Sequence, residues 1–313
     1  MPVSTAIPTR AARARPSDRA LGWAADMVNA PGAEVVNVRT LTGGIASSVH
    51  ALDVVERGGV RHRLVLRRHL TTEPTDDEHT RSVEHEAAVL CALQDASIPT
   101  PTFVACDPSG ARAGVPALLM QRLGGRMLLT PSDPRAWRRQ MAEMLPRIHA
   151  VDLVAAQAVT APDLDELEPP PWSREPAIWR AAIAVARDTP TAYQPCFVHD
   201  DYQHFNLLWS RERLTGVVDW TFAGTGMPEC DVGHCQLNLA ILWGAEVAAT
   251  FRRDYEVVAG RASDPYWELC RALAFLPGWG AGIRIQAGRR LRVDLAGMNG
   301  RVEDLVASIL RRC

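Results

Sequence analysis

The chain changes its periodicity near residue 125, and that change limits its fold more than any single motif does. From 34 to 70 it reads as strands. "EVVNVRTL", "SSVHALDVVE" and "VRHRLVLRRH" are rich in β-branched residues, with stretches that alternate apolar and polar. Gly58-Gly59 predicts a tight turn between the last two, because glycine accepts a positive φ at little cost. "VPALLMQRL" (115–123) predicts one more strand. Glu86, Val89, Leu90 and Leu93 stand at helical spacing within a helix expected over 76–95. Another helix is expected over 16–30, with Ser17 or Asp18 as its cap. After "LGGR" (123–126) helices dominate, over 133–150, 174–188, 231–259 and 264–275, broken by two short β-like pieces, "CFVHD" and "LTGVVDW". A β-rich front and an α-rich back predict an α+β chain of two lobes around a cleft. The expected parts are a tail and helix (1–33), a small antiparallel sheet with one helix (34–123) and a mainly helical lobe (124–313).

Composition excludes several classes. At 313 residues the chain can bury a sizeable core. Its net charge of −2 gives no global basic field for nucleic acid, and the basic stretch "RGGVRHRLVLRRHL" (57–70) alternates as a solvated strand face would. The longest mainly apolar run, 237–249, contains Glu246 and is too short to span a bilayer, so no membrane partner is expected. Seven cysteines without a CxxC pair predict reduced thiols and a cytoplasmic protein. The N-terminal stretch has arginines but no apolar h-region, unlike a secretory signal.

The chemistry gathers in "FVHDDYQHFNLLW" (197–209), two carboxylates, two histidines and an asparagine between apolar runs. A metal site, a catalytic loop and an ordinary polar turn all compete as readings. His199, Asp201 and Asn206 form H-x-D-x-x-x-x-N, and Asp219 follows thirteen residues after Asn206 in "VVDW". A short strand pair flanking the loop could aim Asp201, Asn206 and Asp219 at one spot. Oxygen donors there suit Mg²⁺ shared with phosphates, and a remaining carboxylate can orient a hydroxyl and accept its proton.

These residues resemble the aminoglycoside phosphotransferase family, the small-molecule kinases of the protein-kinase-like superfamily. The family pattern H-G-D-x-x-x-x-N, I-D-W, G-x-G-x-P-x-x-D is met by "HDDYQHFN", "VVDW" and "GTGMPECD". The resemblance covers roughly 38–275 and implies a two-lobed protein-kinase-like fold. It implies ATP or GTP with Mg²⁺, Asp201 as the catalytic acid–base group, and Asn206 and Asp219 as metal ligands. It implies support of the loop by His199 and Asp231. For the nucleotide it implies "LTGGIASSV", which keeps Gly44 and Val49 but has Thr42 and Ser47 at the other glycine positions, with donors from Gly43, Gly44 and Ser47. Arg67, rather than Arg68, takes the place of the strand-borne base that meets the phosphates, and Glu86 pairs with it. The base would bond the backbone of Gln121 and Leu123. Only eleven residues separate Asp219 from Asp231, too few for the long activation segment of protein kinases, which favours a small-molecule hydroxyl as acceptor.

Two residues depart from the pattern or stand idle in it. Asp200 replaces the family's glycine; a second carboxylate there could raise the pKa of Asp201 or face solvent, and solvent is expected, while His204 is expected on the loop surface. A metallohydrolase built on His199, Asp200, Asp201 and His204 lacks further ligands, with no HExxH in the chain. A nucleotide-binding pseudokinase is argued against by the intact Asp201–Asn206–Asp219 set. The acceptor stays open between antibiotics and metabolites. A cationic aminoglycoside would want acids such as Asp163, Asp165, Glu166, Glu246, Asp254, Glu256, Asp264 and Glu268. A macrolide would want Trp172, Trp179, Trp243, Trp267 and Trp279. A sugar, amino alcohol or amino acid would make the protein a metabolic kinase.

Overall fold

The computed structural model describes residues 14–41, 47–70, 76–153, 157–159, 164, 167–188, 192, 194–274, 283, 286 and 294–313. The chain is α+β and divides into two units. The smaller holds the chain to Gly124 together with Gly216–Thr221; the larger holds Gly125–Thr215 and Phe222–Cys313.

The smaller unit is built on a five-stranded antiparallel sheet, β1 (Glu34–Leu41), β2 (Ser48–Val55), β3 (Arg61–Arg68), β4 (Phe103–Asp107) and β5 (Ala117–Gln121), in the order β1-β2-β3-β5-β4. Period 2 sends Leu52, Val54, Leu64 and Leu66 to one face. There they pack with Ala20, Leu21, Trp23 and Ala24 of α1 (Asp18–Asp26), so α1 is part of the sheet's core rather than of a separate tail. Ser17 caps α1 by accepting from the Ala20 N–H. On α2 (Asp76–Ala92), Val83, Glu86, Ala87 and Leu90 share the buried stripe. Strand β4 was not expected: it is short, only partly buried and closed by the proline and glycine of the turn that follows.

The larger unit is helical: α3 (Pro134–His149), α4 (Pro176–Ala186), α5 (Glu229–Trp243), α6 (Ala245–Ala259), α7 (Pro265–Ala274) and α8 (Leu295–Leu310). Helix α5 is buried from Glu229 to Ile241 and packs against α6, α7 and α8. Where one long helix was expected over 231–259 there are two, broken at Gly244, whose φ of +97° a helix cannot hold. Helix α8 lies beyond the expected helices; Gly297 and Gly300 weaken its local signal.

The two β-like pieces around the opening motif do not pair with each other. Strand β6 (Cys196–Val198) pairs with β9 (Gly224–Gly226). Strand β7 (Leu207–Ser210) pairs with β8 (Arg213–Val217) through a turn in which Arg211 and Glu212 both have positive φ. Gly224 is required by space: a Cβ there would stand 2.6 Å from the Gln157 carbonyl oxygen. No helix among the described residues is long and apolar enough to cross a membrane.

Candidate active site

Two charged clusters, one in each unit, hold the residues singled out in the sequence. In the smaller unit strand parity decides between the adjacent arginines. Arg68 lies on the α1 side, donating to the Ala14 carbonyl and to Ser48 Oγ, both at 3.2 Å. Arg67 points the other way, where its Nη1 meets both oxygens of Glu86 at 3.0 and 3.1 Å and Asp219 Oδ1 at 2.8 Å. Its Nε donates to Ser47 Oγ at 3.0 Å. Burial alone would lower the guanidinium's pKa; the Asp219 and Glu86 carboxylates outweigh it and raise the value. Asp219 takes a left-handed φ of +71°, which aspartate tolerates better than most residues, and Thr221 Oγ1 donates to its Oδ1 at 3.0 Å. Gln121 ends β5 and spends its N–H on the Thr102 carbonyl, so a base meeting it would use its carbonyl oxygen. Leu123 is half-buried just beyond the strand. Gly43 and Gly44 lie outside the described residues.

In the larger unit the loop 199–206 closes around Asp201. Gln203 Nε2 donates to its Oδ1 at 2.8 Å and Asn206 Nδ2 to its Oδ2 at 2.7 Å. The same Asn206 nitrogen donates to the Asp201 carbonyl at 2.9 Å. Asp231, fully buried on α5, accepts the backbone N–H of Asp200 at 2.8 Å and of His199 at 3.0 Å. His149 of α3 reaches its Oδ2 at 3.1 Å. Burial would raise the Asp231 pKa, but the contacts from His149 and His199 hold it below the ordinary carboxylate range. His199 is buried edge-on to Tyr202, and its Nδ1 accepts the Asp201 N–H at 3.3 Å.

Two expectations are corrected here. Asp200 does not face solvent: Arg271 of α7 sets Nη1 2.8 Å from its Oδ1 and donates from Nη2 to its carbonyl. Burial pushes the Asp200 carboxyl up to about 6, against the pull of Arg271. Its φ of +61° accounts for the family's glycine, and the arginine holds aspartate in its stead. His204 is not on the surface either. It is wholly buried, with its ring 4.2 Å from Phe205, 5.0 Å from Trp243 and 6.3 Å from Trp137. It packs as an aromatic, and burial takes its pKa down to about 3.

The donor chemistry fits Mg²⁺. Asn206 turns its nitrogen to Asp201 and so presents its carbonyl oxygen elsewhere, while Asp219 is a partly exposed carboxylate. Both are hard oxygen donors. Among the described residues no group of three or more His, Cys, Asp or Glu side chains forms a metal site of its own.

The described acids set aside for a cationic acceptor are already engaged. Glu246 pairs with Arg253, Asp254 with Arg138, Glu256 with Arg252 and the buried Glu268 with Arg312. Asp264 accepts the Tyr266 N–H at 2.9 Å. Trp179 and Trp267 are core, and Trp243 packs on His204. Asp163, Asp165, Glu166 and Trp279 lie outside the described residues.

Sequence reasoning did not find Gln203, His149, His234 or Arg271. Only His234 carried a signal, three residues after Asp231 and hence on the same helical face.

Comparison with known proteins gives the family and the fold. The model of the phosphotransferase enzyme family matches residues 38–273. The macrolide 2′-phosphotransferase from Brachybacterium faecium superposes with a TM-score of 0.56 at 22% identity, covering 95% of this chain and 99% of that one. A thermostable mutant of aminoglycoside phosphotransferase APH(4)-Ia, in ternary complex with ADP and hygromycin B, gives 0.57 at 16% identity, covering 89% and 94%. At such identities the likeness is one of fold, that of kinase-like phosphotransferases. Acyl-CoA dehydrogenase family member 10 of Mus musculus is 26% identical over 193 residues, 55% of this chain but only 18% of that protein's own length.

Proposed function

The chain belongs to the phosphotransferase enzyme family, and from that premise we propose that it moves the γ-phosphate of ATP or GTP to a hydroxyl of a small molecule. The observation that carries the reading is the Asp201 carboxylate, fixed on both oxygens by Gln203 and Asn206 on a loop whose backbone Asp231 holds. Asp201 orients the acceptor hydroxyl and takes its proton. Asn206 and Asp219 supply oxygens to Mg²⁺, which when bound with the nucleotide neutralises phosphate charge. Arg67, steadied by Glu86 and Ser47, meets the phosphates. The backbone of Gln121 and Leu123 receives the base, and Gly43, Gly44 and Ser47 belong to the phosphate loop. His199 and Asp231 support the catalytic loop. Positioning and charge neutralisation supply most of the rate in such a reaction.

Asp201→Ala should lower turnover by roughly 10²–10⁴ while nucleotide still binds. Unchanged turnover in a coupled ADP-release assay would sink the assignment. A small acceptor is supported by the short span between Asp219 and Asp231, which holds β9 and its pairing with β6. A second reading of the acceptor, a sugar, amino alcohol or amino acid rather than a polycationic antibiotic, is favoured by the arginines already set against Asp254, Glu256 and Glu268. An ADP-release screen over aminoglycosides, macrolides, sugars and amino alcohols separates the two.

A further inference from the structure

One turn of α5 carries three residues that meet the catalytic loop or the helix behind it. Asp231 holds the backbone of His199 and Asp200. Gly233 admits α7: a Cβ there would come within 3.1 Å of Arg271 Cβ and 3.2 Å of Glu268 Cα. That close approach serves the reach of Arg271 to Asp200. His234, one turn on from Asp231, brings Nε2 to 2.8 Å from Asp201 Oδ1, an ion-pair contact outside hydrogen-bond geometry, with 5% of its side chain exposed.

The three contacts on the Asp201 carboxylate are not equivalent. Gln203 and Asn206 belong to the same loop and move with it. His234 stands on a buried helix, so it alone of the three ties the carboxylate to the helical core of its unit. A carboxyl group has a broad, roughly two-fold terminal torsion, which a close ion-pair contact from outside the loop can pin. Phosphoryl transfer depends on such pinning, since a misplacement of about 1 Å can cost ~10²-fold in rate.

We propose that His234 is a positioning residue for the transfer, setting the orientation of the Asp201 carboxylate from α5. This rests on the reading of Asp201 as the group that orients the acceptor. The test uses the full chain with Mg·ATP and water as acceptor. A bond forms from the water oxygen to the γ-phosphorus, the β–γ bridge breaks with ADP leaving, and the water's proton passes to Asp201.

His234→Leu should lower kcat for hydrolysis by about 10–100-fold with KM for ATP unchanged, and His234→Gln, which keeps a donor, should recover most of the loss. His234→Leu combined with Asp201→Asn should be no slower than Asp201→Asn alone. A kcat for His234→Leu within twofold of wild type, with Asp201→Asn strongly impaired, would overturn the positioning role and leave the proposed function standing. Unimpaired Asp201→Asn would instead overturn the function. A further measurement is independent of turnover and of whether His234→Leu folds. The ring ¹⁵N resonances of His234 in wild type should move in Asp201→Asn, and resonances that stay in place would refute the contact.

Discussion

The two clusters are built on opposite plans. In the smaller unit a single cation, Arg67, is the centre, and the acids Glu86 and Asp219 gather around it. In the larger unit a carboxylate, Asp201, is the centre, and Gln203, Asn206 and His234 gather around it. The first plan shares charge: two carboxylates hold one guanidinium, so either can leave and Arg67 keeps a partner. The second divides labour. Asp231 holds backbone, His234 and the loop amides hold the carboxylate, and Arg271 holds the left-handed Asp200. Loss of the fixing by Asp231 or by Arg271 is not made good by another. The smaller cluster should therefore tolerate change better than the larger.

The largest expected effect separates the two regions by pH. His204 in the larger unit has its pKa lowered to about 3, first by burial and then by the nearby His234. With an unfolded value of 6.5, its neutral form supports the fold fully above pH 6.5. That support is lost as pH falls towards 3, because the unfolded chain takes up the proton first. A fall from 6.5 to about 3 corresponds to roughly 5 kcal/mol at the acid end. His204→Leu should flatten the acid limb of a thermal-stability profile by that order. An acid limb identical to wild type would mean that His204 does not stay neutral in the fold.

Next in size is the contrast between two buried acids. Asp231→Ala strands two backbone N–H groups and His149, and should cost about 3–5 kcal/mol in urea unfolding. Glu86→Ala leaves Arg67 paired with Asp219 and should cost less, about 1–3 kcal/mol. The reverse ranking would break the comparison.

How far each plan was legible follows from the same difference. Arg67 and Glu86 stand in local patterns: strand parity turns one towards α2, and helical spacing puts the other beside Val83 and Leu90 on the buried stripe. The order Asp201, Asn206, Asp219 could be read as one oxygen-donor set from its spacing, and Asp231 joined it only through the resemblance of "GTGMPECD" to the family pattern. What stayed hidden was made by distance in sequence. Trp137 and Trp243 bury His204 from helices on either side of it in the chain. Arg271 reaches Asp200 across 71 residues, and nothing near "HDD" announces it. Strand β9 was hidden differently: two glycines in "GTG" weaken its strand signal, and they leave room for Gln157 and Val159 to come close.

The smallest predicted effect concerns Asp200, where the division of labour is most exposed. Its neighbours are Arg271 from α7, Asp231 and His234 from α5, and Asp201 beside it; burial dominates and lifts its carboxyl from 3.8 to about 6. A raised acid supports the fold while protonated in both states, below about pH 3.8. That support is lost as pH rises through 6, because the unfolded chain gives up its proton more readily. This effect is opposite in sign to the His204 effect and overlaps it in pH. Asp200→Gly suits the left-handed backbone and removes a desolvated carboxylate, but it takes that ion pair from the largely buried Arg271, so it should stabilise the protein only slightly near pH 7 while leaving the acid end little changed. Arg271→Met should do the reverse, leaving a buried carboxylate without its partner. If Asp200→Gly proves destabilising at neutral pH, the Asp200–Arg271 pair contributes more than its desolvation costs. The larger unit would then share charge as the smaller one does.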